Sequence, residues 1–144
     1  MAYAVKADLA ERLTDELLIQ LTDFENAGVV VDSRITAALD DASAKINSYA
    51  GGRYTVPLAA SDQVKNLCLD LAVWRLYTTR LRPLPESLID QYKEAMKFLL
   101  AVSNGMATLD GQGAGEQQTA EASATTRDHD EDPEVFDDNK LESY

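Results

Sequence analysis

The sequence predicts an all-α protein, a compact bundle of about five helices around one buried central helix, followed by an extended acidic C-terminal tail. Three observations predict it. Apolar residues recur at three- and four-residue spacing as far as Leu109, the pattern of helices with one buried face. Residues that start or stop helices (Thr14, Asp32, Gly51, Pro85, Gly105) fall between those stripes. Beyond Leu109 large apolar residues become sparse and acids accumulate.

The first helix is short, about Lys6 to Leu13, with Val5, Leu9 and Leu13 on one side. Thr14 is an N-cap whose hydroxyl can accept free backbone N–H groups of a second short helix, Asp15 to Leu21, which carries two acids in its first turn. A connector, Thr22 to Val31, includes Gly28 and the valine run 29–31, the one place with any strand character, and ends in Asp32 as the expected next N-cap. The third helix, about Ser33 to Ala50, aligns Ile35, Ala38, Leu39, Ala42, Ile46 and Tyr49, and Gly51-Gly52 ends it by accepting a left-handed backbone.

Arg53 to Ala60, with Pro57, reads as a loop. The fourth helix, about Asp62 to Arg80, is apolar nearly all round (Val64, Leu67, Cys68, Leu69, Leu71, Ala72, Val73, Trp74, Leu76, Tyr77), so it is expected at the centre. Its exceptions Asp70 and Arg75 then need partners, because an unpaired buried charge costs several kcal/mol. Arg80, Arg82 and Pro83 close it. The fifth helix, about Glu86 to Asn104, carries the stripe Leu88, Ile89, Tyr92, Ala95, Met96, Leu99 and Leu100, with Gly105 as its stop.

The formal net charge of −12 divides unevenly. Residues 105–144 hold eleven acids against Arg127 and Lys140, leaving only −3 for residues 1–104. The front is a mildly acidic domain (1–109) and the back an acidic tail (110–144). Neither part offers the basic stripe that phosphate binding needs, so tight binding of nucleic acid is not expected. No run approaches the roughly 18 apolar residues of a membrane span, and the start lacks the pattern of a secretory signal. The tail cannot bury enough apolar area to offset the entropy of ordering it, so it is expected to order only on a partner. Val135, Phe136, Leu141 and Tyr144, spaced among acids, are its expected anchors.

Little here supports catalysis. Cys68 is the single cysteine and His129 the single histidine, which excludes an internal disulfide and a multi-thiolate metal site. Asp23-Phe24-Glu25-Asn26-Ala27-Gly28 opens like a calcium loop, but Ala27 and Arg34 stand where oxygen ligands belong. Asp128-His129-Asp130-Glu131-Asp132 could hold a divalent metal only weakly, and such clusters usually stay solvated. Asp70 with Arg75, or with Arg53, reads better as a buried charge satisfied by an arginine than as a catalytic pair. No cofactor and no enzymatic activity are expected.

A family resemblance adds what the chemistry does not. Met1-Ala2-Tyr3-Ala4 with Ala7-Asp8-Leu9, then Leu18-Ile19-Gln20-Leu21-Thr22-Asp23, resembles the N-terminus of Mu-like phage and prophage structural proteins of the head-tail connector (adaptor) family. Ala42-Ser43-Ala44, Ile46, Ser48-Tyr49, Gly52-Arg53-Tyr54 and Pro57-Leu58 resemble that family's helix end and loop. Leu69-Asp70-Leu71-Ala72 and Trp74-Arg75-Leu76-Tyr77 resemble its central helix. The similarity spans about Met1 to Leu109, and the tail beyond is longer and more acidic than the family pattern.

The resemblance implies a structural virion protein, made in the bacterial host cytoplasm and located at the head-tail junction. Its partners would be the phage portal protein, a tail-side neck or tail terminator protein, and copies of itself in a ring, expected to be a dodecamer, through which DNA passes without specific binding. Arg53 and Tyr54 are then expected to be structural or at a subunit contact, and the tail to reach along the portal. From the residues alone the alternative is a cytosolic helical interaction or regulatory protein that binds a basic partner through its acidic tail.

Overall fold

Each apolar stripe becomes one helix: α1 (Lys6–Arg12), α2 (Asp15–Thr22), α3 (Asp32–Ala50), α4 (Asp62–Arg80) and α5 (Glu86–Ser103), with no strand among the described residues. The computed structural model describes residues 2–112, so Val135, Phe136, Leu141, Tyr144 and the acidic cluster lie outside the described residues. Local chemistry sets most of the helix limits. Thr14 accepts the Leu17 N–H at 3.3 Å as the expected cap of α2, and Ser61 does the same for Val64 of α4 at 3.2 Å. Asp8 reaches back within α1 to accept the Val5 N–H at 2.9 Å. Gly105, at φ +80°, ends α5 with paired bonds from Met106 N–H to the Ala101 carbonyl (2.8 Å) and from its own N–H to Val102 (3.2 Å).

Three local expectations are corrected. Asp32 is not the cap of α3 but its first residue; Val31 precedes the helix without a side-chain cap, and Asp32 instead pairs with Lys6 of α1 at 2.5 Å. The valines 29–31 form no strand, because the Val31 N–H is taken by Thr22 Oγ1 at 3.0 Å. Gly51 is not left-handed: its φ is −63°. A side chain is excluded there because a Cβ would sit 2.8 Å from the Asn47 carbonyl oxygen.

α4 lies against α2, α3 and α5, and α3 also touches α1, α2 and α5. Val64, Leu67, Cys68, Leu69, Leu71, Ala72, Val73 and Leu76 of α4 are all buried, which makes it the central helix. They meet Leu9 of α1, Leu18 and Leu21 of α2, Ile35, Leu39 and Ile46 of α3, and Leu88, Leu99 and Val102 of α5 in one apolar cluster. Each fully buried large side chain of this kind stabilises by roughly 1.5–3 kcal/mol, so helix packing carries the fold. The α5 stripe is rotated slightly from the expected one: Val102 is fully buried, while Leu100 is 52% exposed.

The buried polar groups sit inside local hydrogen bonds. Thr22 Oγ1 donates to the Leu18 carbonyl (2.7 Å) while accepting from Val31, and Ser43 Oγ donates to Leu39 (2.8 Å) while accepting the Tyr3 N–H (3.0 Å). The second of these pins the N-terminal segment to α3. Cys68, fully buried beside Ser43 Oγ at 3.4 Å, has its thiol pushed up by burial, the condition of an inert core thiol rather than of a nucleophile.

Candidate functional site

The loop that leaves α3 turns back at once, because the N–H groups of Arg53 and Tyr54 both donate to the Ala50 carbonyl at 2.9 Å. That turn aims Arg53 at the far end of α5. Its Nη1 donates to the Val102 carbonyl at 3.1 Å, placing a cation on the negative end of the α5 dipole. The guanidinium also lies flat against Gly105, where a Cβ would come 3.2 Å from Nη1. Glycine is therefore favoured at 105 twice over, by its left-handed φ and by the arginine packed against it.

Tyr54 continues the same closure. Its ring lies 5.9 Å from the Arg53 guanidinium, and its hydroxyl accepts the Leu109 N–H at 3.2 Å, fixing the buried Leu109 side chain under the loop. Tyr3 ties in from the other side. Its hydroxyl donates to Asn47 Oδ1 and accepts the Leu58 N–H at 2.9 Å. Contacts continue past Leu109, where Asp110 N–H donates to Gln63 Oε1 (2.8 Å) and Gln112 Oε1 accepts the Ala59 N–H (2.7 Å). The Gly52-Arg53-Tyr54 segment thus joins the end of α3 to the α5 C-terminus, and the residues after Leu109 carry the contact on to the start of α4. Gly52, Thr55, Val56 and Pro57 are exposed. Sequence spacing missed Tyr3 and the Arg53–Gly105 contact, and Gly105 as a helix stop was the signal that could have led to the second.

The proposed Asp70–Arg75 pair does not form. Asp70 is half-buried and pairs with Arg12 of α1, which also donates to Asn66 Oδ1 at 3.1 Å. Arg75 Nε instead meets Asp41 of α3 at 3.0 Å, with both side chains more than half exposed. The reason is helical geometry: residues five apart lie about 140° around a helix of 3.6 residues per turn and cannot face each other. Asp70–Arg12 fastens the short α1 to the central helix, whereas the exposed Arg75–Asp41 pair contributes little. Asp70 does not meet Arg53 either, whose Nη1 donates to the Val102 carbonyl at the end of α5.

Arg75 and Asp41 rim a groove of about 490 Å³ between α3, α4 and α5. Its floor is Trp74 stacked on Tyr92, with ring centroids 4.1 Å apart and planes 11° from parallel, and Lys45 Nζ lies 5.5 Å from the Tyr92 ring. Trp74 and Tyr92 are half-buried rather than in the core.

The calcium-like loop has a different use for its acid. Asp23 is 5% exposed, and its carboxylate accepts the N–H groups of Glu25 (3.2 Å) and Gly28 (2.6 Å). Burial alone pushes its carboxyl up, but the backbone donors of Gly28, Ala27, Glu25 and Asn26 outweigh it and hold the group below the ordinary value of 3.8. A carboxylate held low contributes stability that is present above that ordinary value and lost as pH falls through the lower folded one. Asp23→Asn is therefore expected to destabilise the chain at neutral pH and to flatten its loss of stability below about pH 4, measured by urea unfolding as a function of pH. An unchanged acid limb would show that the carboxylate does not hold the connector.

Comparison with known proteins decides the family. The model of the family described as Bacteriophage Mu, Gp36 matches residues 3–128. The chain belongs to the bacteriophage Mu gp36 family. The Mu-like prophage FluMu protein gp36 of Haemophilus influenzae is 32% identical over 108 residues, 74% of each chain. The gp36 family match covers α1 to α5 and the Arg53–Tyr54 corner, runs past Leu109, and stops short of Val135 and Phe136. This gp36-family chain is accordingly a phage protein with an all-helical fold, and none of its described helices is long and apolar enough to cross a membrane.

Proposed function

We propose that this gp36-family chain is a head-tail connector (adaptor) subunit, a structural protein of the virion that sits in a ring between portal and tail while DNA passes through. The observation that carries the reading is the match to a phage Mu family across the whole helical bundle. The use of its polar residues supports it. Arg53, Tyr54, Tyr3 and Asn47 brace one end of the bundle, which suits a part that must keep its shape under load.

The surface also suits assembly. Rings are built from heterologous contacts, in which one face of a subunit meets a different face of the next. The Trp74–Tyr92 groove with its charged rim is the kind of aromatic hollow that anchors a neighbour, and the exposed Thr55-Val56-Pro57 loop is a surface that a neighbouring subunit can meet. The portal protein, a tail-side neck or terminator protein and further copies of the chain, twelve in the expected ring, are the partners of this reading.

Localisation tests it. In a reconstruction of purified virions the chain is expected as a ring at the head-tail junction, and particles lacking it should carry filled heads without tails. Density for the chain elsewhere in the particle, or its absence from purified virions, would reject the connector role and favour a regulatory protein of the infected cell.

A further inference from the structure

At the end of the bundle opposite Arg53, three arginines gather. The Arg34 guanidinium carbon, in the first turn of α3, lies 3.5 Å from the centroid of the Phe24 ring, and that of Arg80, in the last turn of α4, lies 4.6 Å from the same centroid. The two cations are therefore within about 8 Å of each other, and both are half-buried. Arg82 joins them across a small hollow lined by Ile19, Gln20, Asp23, Asn26 and Arg80, where its Nη1 donates to the neutral Gln20 Oε1 at 2.7 Å.

Among the described residues none of these three arginines has a carboxylate partner, and unlike Lys45, Lys93 and Lys97, which also lack one, they are gathered at one end of the bundle. The acid that lines the hollow, Asp23, is committed to the backbone of its own loop. Clustering cations while removing part of their water is unfavourable unless an anion completes the site. Between Arg80 and Arg82 stands Leu81, which is 91% exposed and left-handed at φ +54°. A leucine is strained in that conformation, which glycine adopts freely. The cluster is thus an apolar side chain flanked by cations.

We infer that in the free subunit this cluster is the docking site for the acidic segment 128–138 of the same chain. The complementarity is specific in pattern. Val135-Phe136 is an apolar pair flanked by Glu134 on one side and Asp137-Asp138 on the other, the charge inverse of Arg80-Leu81-Arg82. The net charge agrees: of the formal −12, residues 113–144 carry −8, on ten acids and two bases. The segment can also reach. Gln112 is bonded to Ala59, just before the start of α4, and α4 from Asp62 to Arg80 is about 27 Å long at 1.5 Å per residue. The chain from Gln112 to Asp128 can span roughly 55 Å when extended, about twice what is needed. Being tethered, the segment is present at high effective concentration without any second molecule. The contact does not depend on the connector reading.

The test is hydrogen–deuterium exchange on the full chain at low ionic strength. Residues 133–138 are expected to exchange at least about ten-fold more slowly than residues 116–124. That protection should disappear in R80Q/R82Q, in V135S/F136S, and in about 0.5 M salt, where screening acts over only about 4 Å. It should persist in K45Q/R75Q, which alters the aromatic groove, and stay constant over an about hundred-fold range of protein concentration, since an intramolecular contact does not respond to mass action. Circular dichroism checks that R80Q/R82Q stays folded. A wild-type segment without protection, protection lost in K45Q/R75Q but kept in R80Q/R82Q, or protection that rises with concentration would overturn the proposal. So would slowed exchange at residues 78–83 caused equally by a short DNA duplex in wild type and V135S/F136S, which would assign the arginines to phosphate.

Discussion

Gly105→Ala is expected to destabilise the chain by about 2–3 kcal/mol, which for a domain of this size lowers the unfolding midpoint by roughly 8–12 °C. Two terms make up that cost. Residue 105 has φ +80°, where any Cβ costs about 1–2 kcal/mol. The added methyl would also lie 3.2 Å from Arg53 Nη1 and 3.3 Å from its guanidinium carbon, so the guanidinium must shift by a few tenths of an ångström and weaken its bond to the Val102 carbonyl. Arg53→Ala removes that cap directly and should cost about 1.5–2 kcal/mol, the worth of a charge-assisted hydrogen bond at a helix C-terminus. The double mutant separates the terms: in the Arg53→Ala background Gly105→Ala should cost only the backbone part, a coupling of about 1 kcal/mol. Strict additivity in a thermal or denaturant double-mutant cycle would mean that Arg53 does not brace the end of α5.

The second large effect comes from two neighbouring leucines. Leu99→Ala is expected to cost about 3–4 kcal/mol and Leu100→Ala under about 0.5 kcal/mol, as measured by chemical denaturation. Leu99 is fully buried in the cluster that α5 forms with α3 and α4, so truncating it opens a cavity in a packed interior. Leu100 is 52% exposed, and truncating it removes surface that water already touches. Equal costs would show that α5 packs in a different rotation from the one described here.

Those leucines also mark how far the chain can be read without its fold. Both lie within the apolar face of a period of 3.6, and the periodicity has an angular width that takes in either of them. Which is buried depends on the rotation of α5 against α3 and α4, and Val102 rather than Leu100 completes the contact face. The same holds for the capping of α3. Asp32 has the chemistry of an N-cap, but a cation from another helix, Lys6, offers it a different partner, and the helix starts one residue earlier.

The braced corner was legible in part. The family resemblance points to Arg53 and Tyr54 as structural or at a subunit contact, and within the subunit Arg53 bonds the end of α5 while Tyr54 bonds Leu109. Those partners were not legible, since Arg53 meets Val102 and Tyr54 meets Leu109 across 49 and 55 positions of chain. Asp70 illustrates the same limit: its need for a cation followed from an apolar helix, but Arg12, 58 positions away, rather than the nearby Arg75, supplies it.

The sequence by itself determined that the described residues fold as five helices with α4 at the centre, because caps, turns and apolar periodicity act over a few residues and report on backbone conformation directly. It also determined where the charge lies, since that is a matter of composition. Only the tertiary structure decided which charges meet, which apolar residues face water, and that Arg34 and Arg80 meet over Phe24 with Arg82 beside Arg80 at one end of the bundle. Those outcomes depend on distances between residues far apart in the chain, which are set by how the helices pack and which no local pattern encodes.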